Sequence, residues 1–320
     1  MSTTSIYPLY PTFLFSFSDI GEVVSFDVSS SGQLFCLIRL TSSNYRIIEY
    51  VGNINVIVEF SLNDSVFELI CFSRELFLLT TMNSAFFLSQ GQLSEFEGNP
   101  QLLNALHICG IPNGNFWVGY DLEQQVIEAG VSIPIEAKYG LLFLSKDGEM
   151  LNRYERYIPR EVPSIVDGVE SLYPVSDDEL WVTDVYNLMF LSKGDLRCIL
   201  SKSKFNDLDM FTIMDNFLLY SGSYCGNPTQ TRITYHHIFC DEVIEFELYK
   251  QSNELLFIDY LSSSKTTSTN FKPIGRAELL YLFDRENVYL VDKHLVNETL
   301  RSNKALEPTS GPLAIRTTGR

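Results

Sequence analysis

Four histidines and a scatter of acidic pairs are the residues of this 320-residue chain with the most evident chemical reach. His236 and His237 are adjacent, and neighbours on a strand point to opposite faces, so the two rings cannot converge on one metal. One ring is expected to pack inside and the other to face solvent. His107 lies in a stretch that reads as an inner strand, where an imidazole lining a central channel could exchange protons with a carboxylate. The same position suits a histidine hydrogen-bonded within its own sheet. Asp177-Asp178-Glu179, Asp207-x-Asp209 and Asp241-Glu242 fall at turns, where acidic side chains satisfy nearby backbone donors. None has the alternating carboxylates, central Gly and distal Glu of a Ca²⁺ loop. No Gly-x-Ser-x-Gly elbow, phosphate-cradling loop or dinucleotide fingerprint occurs, so no catalytic residue, metal ligand or cofactor is assigned. The six cysteines contain no C-x-x-C pair and read as reduced thiols filling strands.

The elements that must position these groups come from a repeat. Phe87-Leu-Ser-Gln-Gly-Gln-Leu93, Phe143-Leu-Ser-Lys-Asp-Gly-Glu-Met150 and Phe190-Leu-Ser-Lys-Gly-Asp-Leu196 each read as a strand end, a tight Gly turn and a new strand. Matching strands precede them at Leu76-Phe77-Leu78, Phe116-Trp117-Val118 and Leu180-Trp181-Val182. Four short strands in about 40 to 50 residues is the period of a propeller blade. The fold expected is therefore an all-β, six-bladed β-propeller, with blades near 21–61, 65–98, 103–158, 165–203 and 207–249 and a last blade built from 255–260, 279–283 and 288–291. That last blade is one strand short. Thr12-Phe-Leu-Phe-Ser-Phe17 has no partner of its own, and pairing it beside Val288–Val291 would close the ring. A seven-bladed ring follows instead if residues 240–275 hold a degenerate blade. No window sustains helical periodicity over a dozen residues, and the Pro- and Gly-punctuated stretch 301–320 reads as a disordered basic tail behind a single domain of residues 1–300.

Loops joining the second and third strands of every blade open on one face. The connection is long in blade 3, between Trp117 and Phe143, and expanded again in blade 5 around Ser221–Pro228. Tyr120, Tyr186 and Tyr224 take comparable places on three consecutive blades, beside Asp121, Glu123, Tyr139 and Asp184. Tyrosines at a concave mouth offer rigid apolar area with a polar tip, which suits a ligand or a loop of another protein. Each tyrosine could equally pack on its own blade.

The run Asn115-Phe-Trp-Val-Gly-Tyr-Asp121, followed by Gly140-Leu-Leu-Phe-Leu-Ser-Lys-Asp-Gly148 and Asp178-Glu-Leu-Trp-Val-Thr-Asp184, resembles a group of uncharacterised bacterial β-propeller-like proteins with WD40/NHL-like repeats. The resemblance spans residues 100 to 225 and implies a propeller without assigning chemistry; Ser145 stands where that group usually has Asp.

Charge sets the remaining expectations. With 23 Lys+Arg against 40 Asp+Glu the chain carries −17, and the last twenty residues, with Arg301, Lys304, Arg316 and Arg320 against Glu307 alone, hold +3 and leave −20 on the rest. Such a body repels nucleic acid and anionic membrane surfaces. The N-terminus lacks the basic and apolar regions of a secretory signal, so a cytoplasmic monomer is expected. The function expected is a non-catalytic interaction scaffold that binds a protein or a small polar ligand on the face with the blade-3 and blade-5 loops. A hydrolase or lyase with a central-channel site, with or without Ca²⁺, is the alternative, and an acidic immunity-type inhibitor of a basic partner is a third.

Overall fold

A computed structural model describes residues 5–97, 102, 105–120, 139–155, 169–176, 178–184, 187–193, 195–201, 211–221, 231–239, 242–258, 273–284 and 286–304. Two short N-terminal strands, β1 (Ser5–Leu9) and β2 (Thr12–Ser16), lead into blade 1, made of β3 (Glu22–Val28), β4 (Leu34–Arg39), β5 (Asn44–Tyr50) and β6 (Ile54–Ser61). Blade 2 is β7 (Val66–Ser73) to β10 (Gln92–Glu95), with β8 (Leu76–Thr81) and β9 (Ala85–Ser89) between. Blade 3 holds β11 (Ala105–Gly110), β12 (Phe116–Tyr120), β13 (Tyr139–Leu144) and β14 (Met150–Glu155); blade 4 holds β15 (Val169–Pro174), β16 (Glu179–Asp184), β17 (Asn187–Ser192) and β18 (Asp195–Ser201). Blade 5 comprises β19 (Phe211–Met214), β20 (Phe217–Ser221), β21 (Arg232–His237) and β22 (Val243–Leu248), and blade 6 comprises β23 (Ile274–Arg276), β24 (Leu279–Phe283) and β25 (Asn287–Asp292). The inner strands β3, β7, β11, β15, β19 and β23 touch one another in that order and β23 returns to β3, which makes the six sheets a ring.

The ring closes as its sequence implied. Strand β2 pairs antiparallel with β25, Thr12 opposite Leu290 and Ser16 opposite Asn287, and supplies the fourth strand of blade 6. Strand β1 adds an unexpected fifth strand to blade 5, parallel to β22 with Ser5 opposite Ile244 and Leu9 opposite Leu248. The N-terminal segment thus binds the outer edges of two blades before entering a third.

Three expectations need correction. The inner strand of blade 6 is Ile274–Arg276 and not 255–260; Leu255 makes only an isolated bridge to Tyr249, while Leu256 and Ile258 are buried in the core between blades 5 and 6. Alternate burial of apolar residues imitated a strand in a segment that merely covers one. No seventh sheet forms among the described residues: the stretch 240–275 gives β22 to blade 5 and the start of β23 to blade 6. Finally, Lys293–Lys304 is an α-helix, α1, where neither helix nor structure beyond 300 was expected. Asp292 caps it, its Oδ1 accepting from the Leu295 N–H at 2.8 Å, and Leu295, Val296 and Leu300 pack on the blade 5–6 core. Three anchors on one short helix leave too thin a periodic signal to read. The rest of the basic tail, 305–320, lies outside the described residues.

Each blade packs on the next through apolar side chains that alternate along its strands. Phe35 and Phe77 meet edge to face between blades 1 and 2, and Phe72 and Phe116 do so between blades 2 and 3. All four are 2 % exposed or less, and burying each contributes roughly 1.5–3 kcal/mol.

Candidate functional site

Inner strands present an unpaired edge to the ring's axis, and buried backbone groups there must find partners. Side chains from neighbouring blades supply them. Ser25 of β3 accepts from the Leu69 N–H of β7 at 3.1 Å, and Asp27 of β3 accepts from the Cys71 N–H at 2.7 Å. The other Asp27 oxygen accepts from its neighbour's N–H, Val28, at 2.7 Å. On the far side, the Glu278 N–H donates to the Tyr173 hydroxyl at 3.3 Å, and Arg276 donates to the Leu172 carbonyl at 3.1 Å.

Arg276 dominates the axis. It ends β23 of blade 6, and its guanidinium reaches blade 3, directly across the ring, where Nη2 donates to Cys109 Sγ. Nη1 donates both to Leu172 O of blade 4 and to Gly275 O at 2.8 Å. Its strand can sit this deep because residue 275 has no side chain: a Cβ there would fall 1.9 Å from the Phe211 carbonyl oxygen of β19. The turn that follows is strained, with Ala277 at φ +50° and Glu278 at φ +62°, each costing on the order of 1 kcal/mol. Surrounding contacts hold it: besides the Tyr173 bond, Glu278 Oε1 accepts from the Asp215 N–H at 3.3 Å and from Lys293 Nζ at 3.4 Å.

The electrostatics around this crosspiece separate acid from thiol. Burial pushes Asp27 up to about 6, and the Arg276 charge and the two backbone N–H bonds pull against that rise without cancelling it. Its carboxylate keeps a partial opening to the channel but is surrounded by protein and not by bulk water. Cys109 is pushed up to about 12, chiefly by burial, with Arg276 lowering it and Asp27 and Glu68 raising it. Cys71 is raised well above the ordinary thiol range, again chiefly by burial. Both thiols are therefore protonated at neutral pH and neither is an activated nucleophile. Of these three groups, Asp27 is the one whose value lies near neutrality.

Of the residues expected to bind, Tyr120, Tyr139 and Asp184 are described. Tyr120 is 1 % exposed and packs with Phe96 and Phe116 in the core between blades 2 and 3, so its ring serves packing and is not at a mouth. The reason is alternation: Phe116, Val118 and Tyr120 share one face of β12, and that face packs on blade 2. Tyr139 opens β13 opposite Glu155, and Asp184 closes β16 opposite Val169. Asp121, Glu123, Tyr186 and Tyr224 lie outside the described residues. His107 is half-buried on inner strand β11, opposite Gly119. His236 is buried, whereas His237 is half-buried and edge-on to Phe217 at 4.7 Å. Asp27, Cys109 and Arg276 escaped the sequence reading. An acid inside the apolar run Val23-Val-Ser-Phe-Asp-Val28 is the one readable sign of them.

Antiparallel blades divide the connections between two faces. On one, first to second and third to fourth strands join by tight turns such as 74–75, 90–91 and 215–216. The opposite face takes the second-to-third connections and the links between blades, which include 121–138, 156–168 and 222–231. Asp27, Cys109 and Arg276 sit near the ends of their strands beside the tight turns, so the crosspiece lies on the tight-turn side of the ring's axis.

No family model matches the chain, and no curated protein matches it. Solved propellers are similar to it in structure. The calcium-binding protein regucalcin of Agrobacterium tumefaciens is 12% identical, with 90% of this chain and 95% of that one covered at a TM-score of 0.49. A catalytically inactive virginiamycin B lyase of Staphylococcus aureus, solved with quinupristin, is 14% identical over 89% of this chain and 99% of its own, at 0.44. BamB of Moraxella catarrhalis is 10% identical over 85% and 86%, at 0.40. At these identities what the chain shares with them is a likeness of fold.

Proposed function

We propose that the protein is a non-catalytic binding propeller that takes a protein or a small polar ligand on its long-loop face. The unequal division of strand ends between the two faces carries this reading: on one face successive strands end a few residues apart, and on the other lie the strand ends that flank the long connections. Long loops set on a rigid scaffold are where binding residues concentrate. Chemistry on the channel floor supports it too, since the thiols of Cys71 and Cys109 are held protonated and both Asp27 oxygens already accept backbone bonds.

A channel enzyme is the second reading, favoured by one observation: Asp27, at about 6, is poised to act as a general acid, with His107 on the inner strand two blades away. Replacing residues 121–138 with a short Gly-Ser linker separates the two. The scaffold reading expects the full chain to retain a partner that the shortened chain loses, with melting temperature unchanged. Retention of every partner by the shortened chain would sink it, and hydrolysis abolished by Asp27→Asn would favour the enzyme.

A further inference from the structure

Among the described residues Arg276 makes no ion pair, and Asp27 acts on it only from a distance. Its three hydrogen bonds go to the Leu172 and Gly275 carbonyl oxygens and to the Cys109 sulfur, all uncharged acceptors, and no carboxylate of the described residues lies within ion-pair distance of it. This happens in a chain where 40 acids outnumber 23 bases. Holding an unpaired charge away from bulk water is costly, and it is usually found where something else completes the pair. A guanidinium has five N–H groups. Nη1 spends both of its own and Nη2 spends one, so the Nε–H and one Nη2–H remain, and the two backbone acceptors hold the plane fixed. Two free N–H groups on a fixed guanidinium match the two oxygens of a carboxylate.

We infer that Arg276 is the anchor of a binding site for a small carboxylate, seated on the tight-turn side of the ring's axis. Neighbouring charge selects the class. Asp27 and Glu68 both act on Cys109, the group that Arg276 touches, and Glu49 acts on Cys71 beside them. In that field a singly charged carboxylate meets less repulsion than a phosphate dianion. The site is small because one side chain spans the ring from blade 6 to blade 3. It is separate from the loops above, and the scaffold reading can fail without it.

The test is thermal unfolding of the full chain with sodium acetate, lactate or pyruvate, or with inorganic phosphate, against sodium chloride at equal ionic strength. At least one carboxylate should raise the melting temperature above the chloride control, as a ligand of the folded state must. Arg276→Gln should abolish the rise, and Arg276→Lys, which keeps the charge and loses the fork, should weaken affinity at least tenfold. If Arg276→Gln does not fold, nitrogen-15 NMR of wild type decides: the Arg276 Nε–H resonance, identified by its loss in Arg276→Lys, should shift with carboxylate and stay put with chloride. The inference is overturned if no carboxylate exceeds chloride, if Arg276→Gln responds like wild type, if the Nε–H resonance ignores carboxylate, or if phosphate alone acts.

Discussion

Asp27→Asn gives the sharpest measure of the channel floor. Burial raises the Asp27 pKa from 3.8 to about 6. The folded protein therefore keeps this proton at pH values where the unfolded chain has released it. By linkage, that stabilisation is fully present below the unfolded value and is lost as pH rises through the folded one. The full span is about 3 kcal/mol, and about 1.4 kcal/mol of it separates pH 5.0 from pH 7.5, less what channel water screens. Asparagine removes this dependence. It also sets an amide N–H₂ against the N–H of Cys71 or Val28, a loss of roughly 1–3 kcal/mol that does not vary with pH. Urea unfolding of wild type and variant at both pH values separates the constant offset from the slope. Wild type should gain on the variant by about 1 kcal/mol on going from pH 7.5 to pH 5.0. A difference that is the same at both pH values, or that grows with pH, would refute the argument that burial outweighs Arg276 at this carboxylate.

Two further outcomes are expected. Gly275→Ala places a methyl group against the Phe211 carbonyl, which cannot move without shifting β19, and should cost about 3 kcal/mol, against about 1 kcal/mol for Gly52→Ala, where φ is +71° but nothing lies within 4 Å. Equal melting temperatures for the two variants would contradict the close approach. Deleting residues 1–10 strips β1 and the buried Leu9 from blade 5 and should cost about 2–3 kcal/mol, whereas deleting 1–16 also removes Phe15 and the outer strand of blade 6 and should cost about twice that in urea unfolding. Identical midpoints for the two truncations would mean that β2 does not close the ring.

What could be read from the sequence was local. The Phe-Leu-Ser hairpins at 87–93, 143–150 and 190–196 are the third and fourth strands of blades 2, 3 and 4, because tight turns and alternation are written into adjacent residues. The unpaired Thr12–Phe17 strand was legible for the same reason: an apolar strand without a local partner must find a distant one. Strand β23 was not, since Ile-Gly-Arg carries no alternation and its place is fixed by backbone contact with Phe211, more than sixty residues away in the chain. Tyr120 shows the limit at single-residue scale. Its neighbours placed it at a strand end correctly, but its ring shares with Phe116 and Val118 the strand face that meets blade 2, a packing partner set by the ring and not by adjacent residues.

The channel floor is the extreme case, since Asp27, Cys71, Cys109 and Arg276 come from four blades and each alone looks like an ordinary inner-strand position. Their meeting depends on the ring having six members, because only then does blade 6 stand opposite blade 3 and Arg276 reach Cys109. Ring closure and channel chemistry are therefore one thermodynamic unit. If β2 leaves β25, blade 6 loses its outer strand, β23 is free to withdraw from β19, and the guanidinium goes with it. The Arg276 charge is the largest influence holding Asp27 down, so its withdrawal removes that pull. A strand at residues 12–16 and an acid at residue 27 are in this way coupled through the far end of the chain.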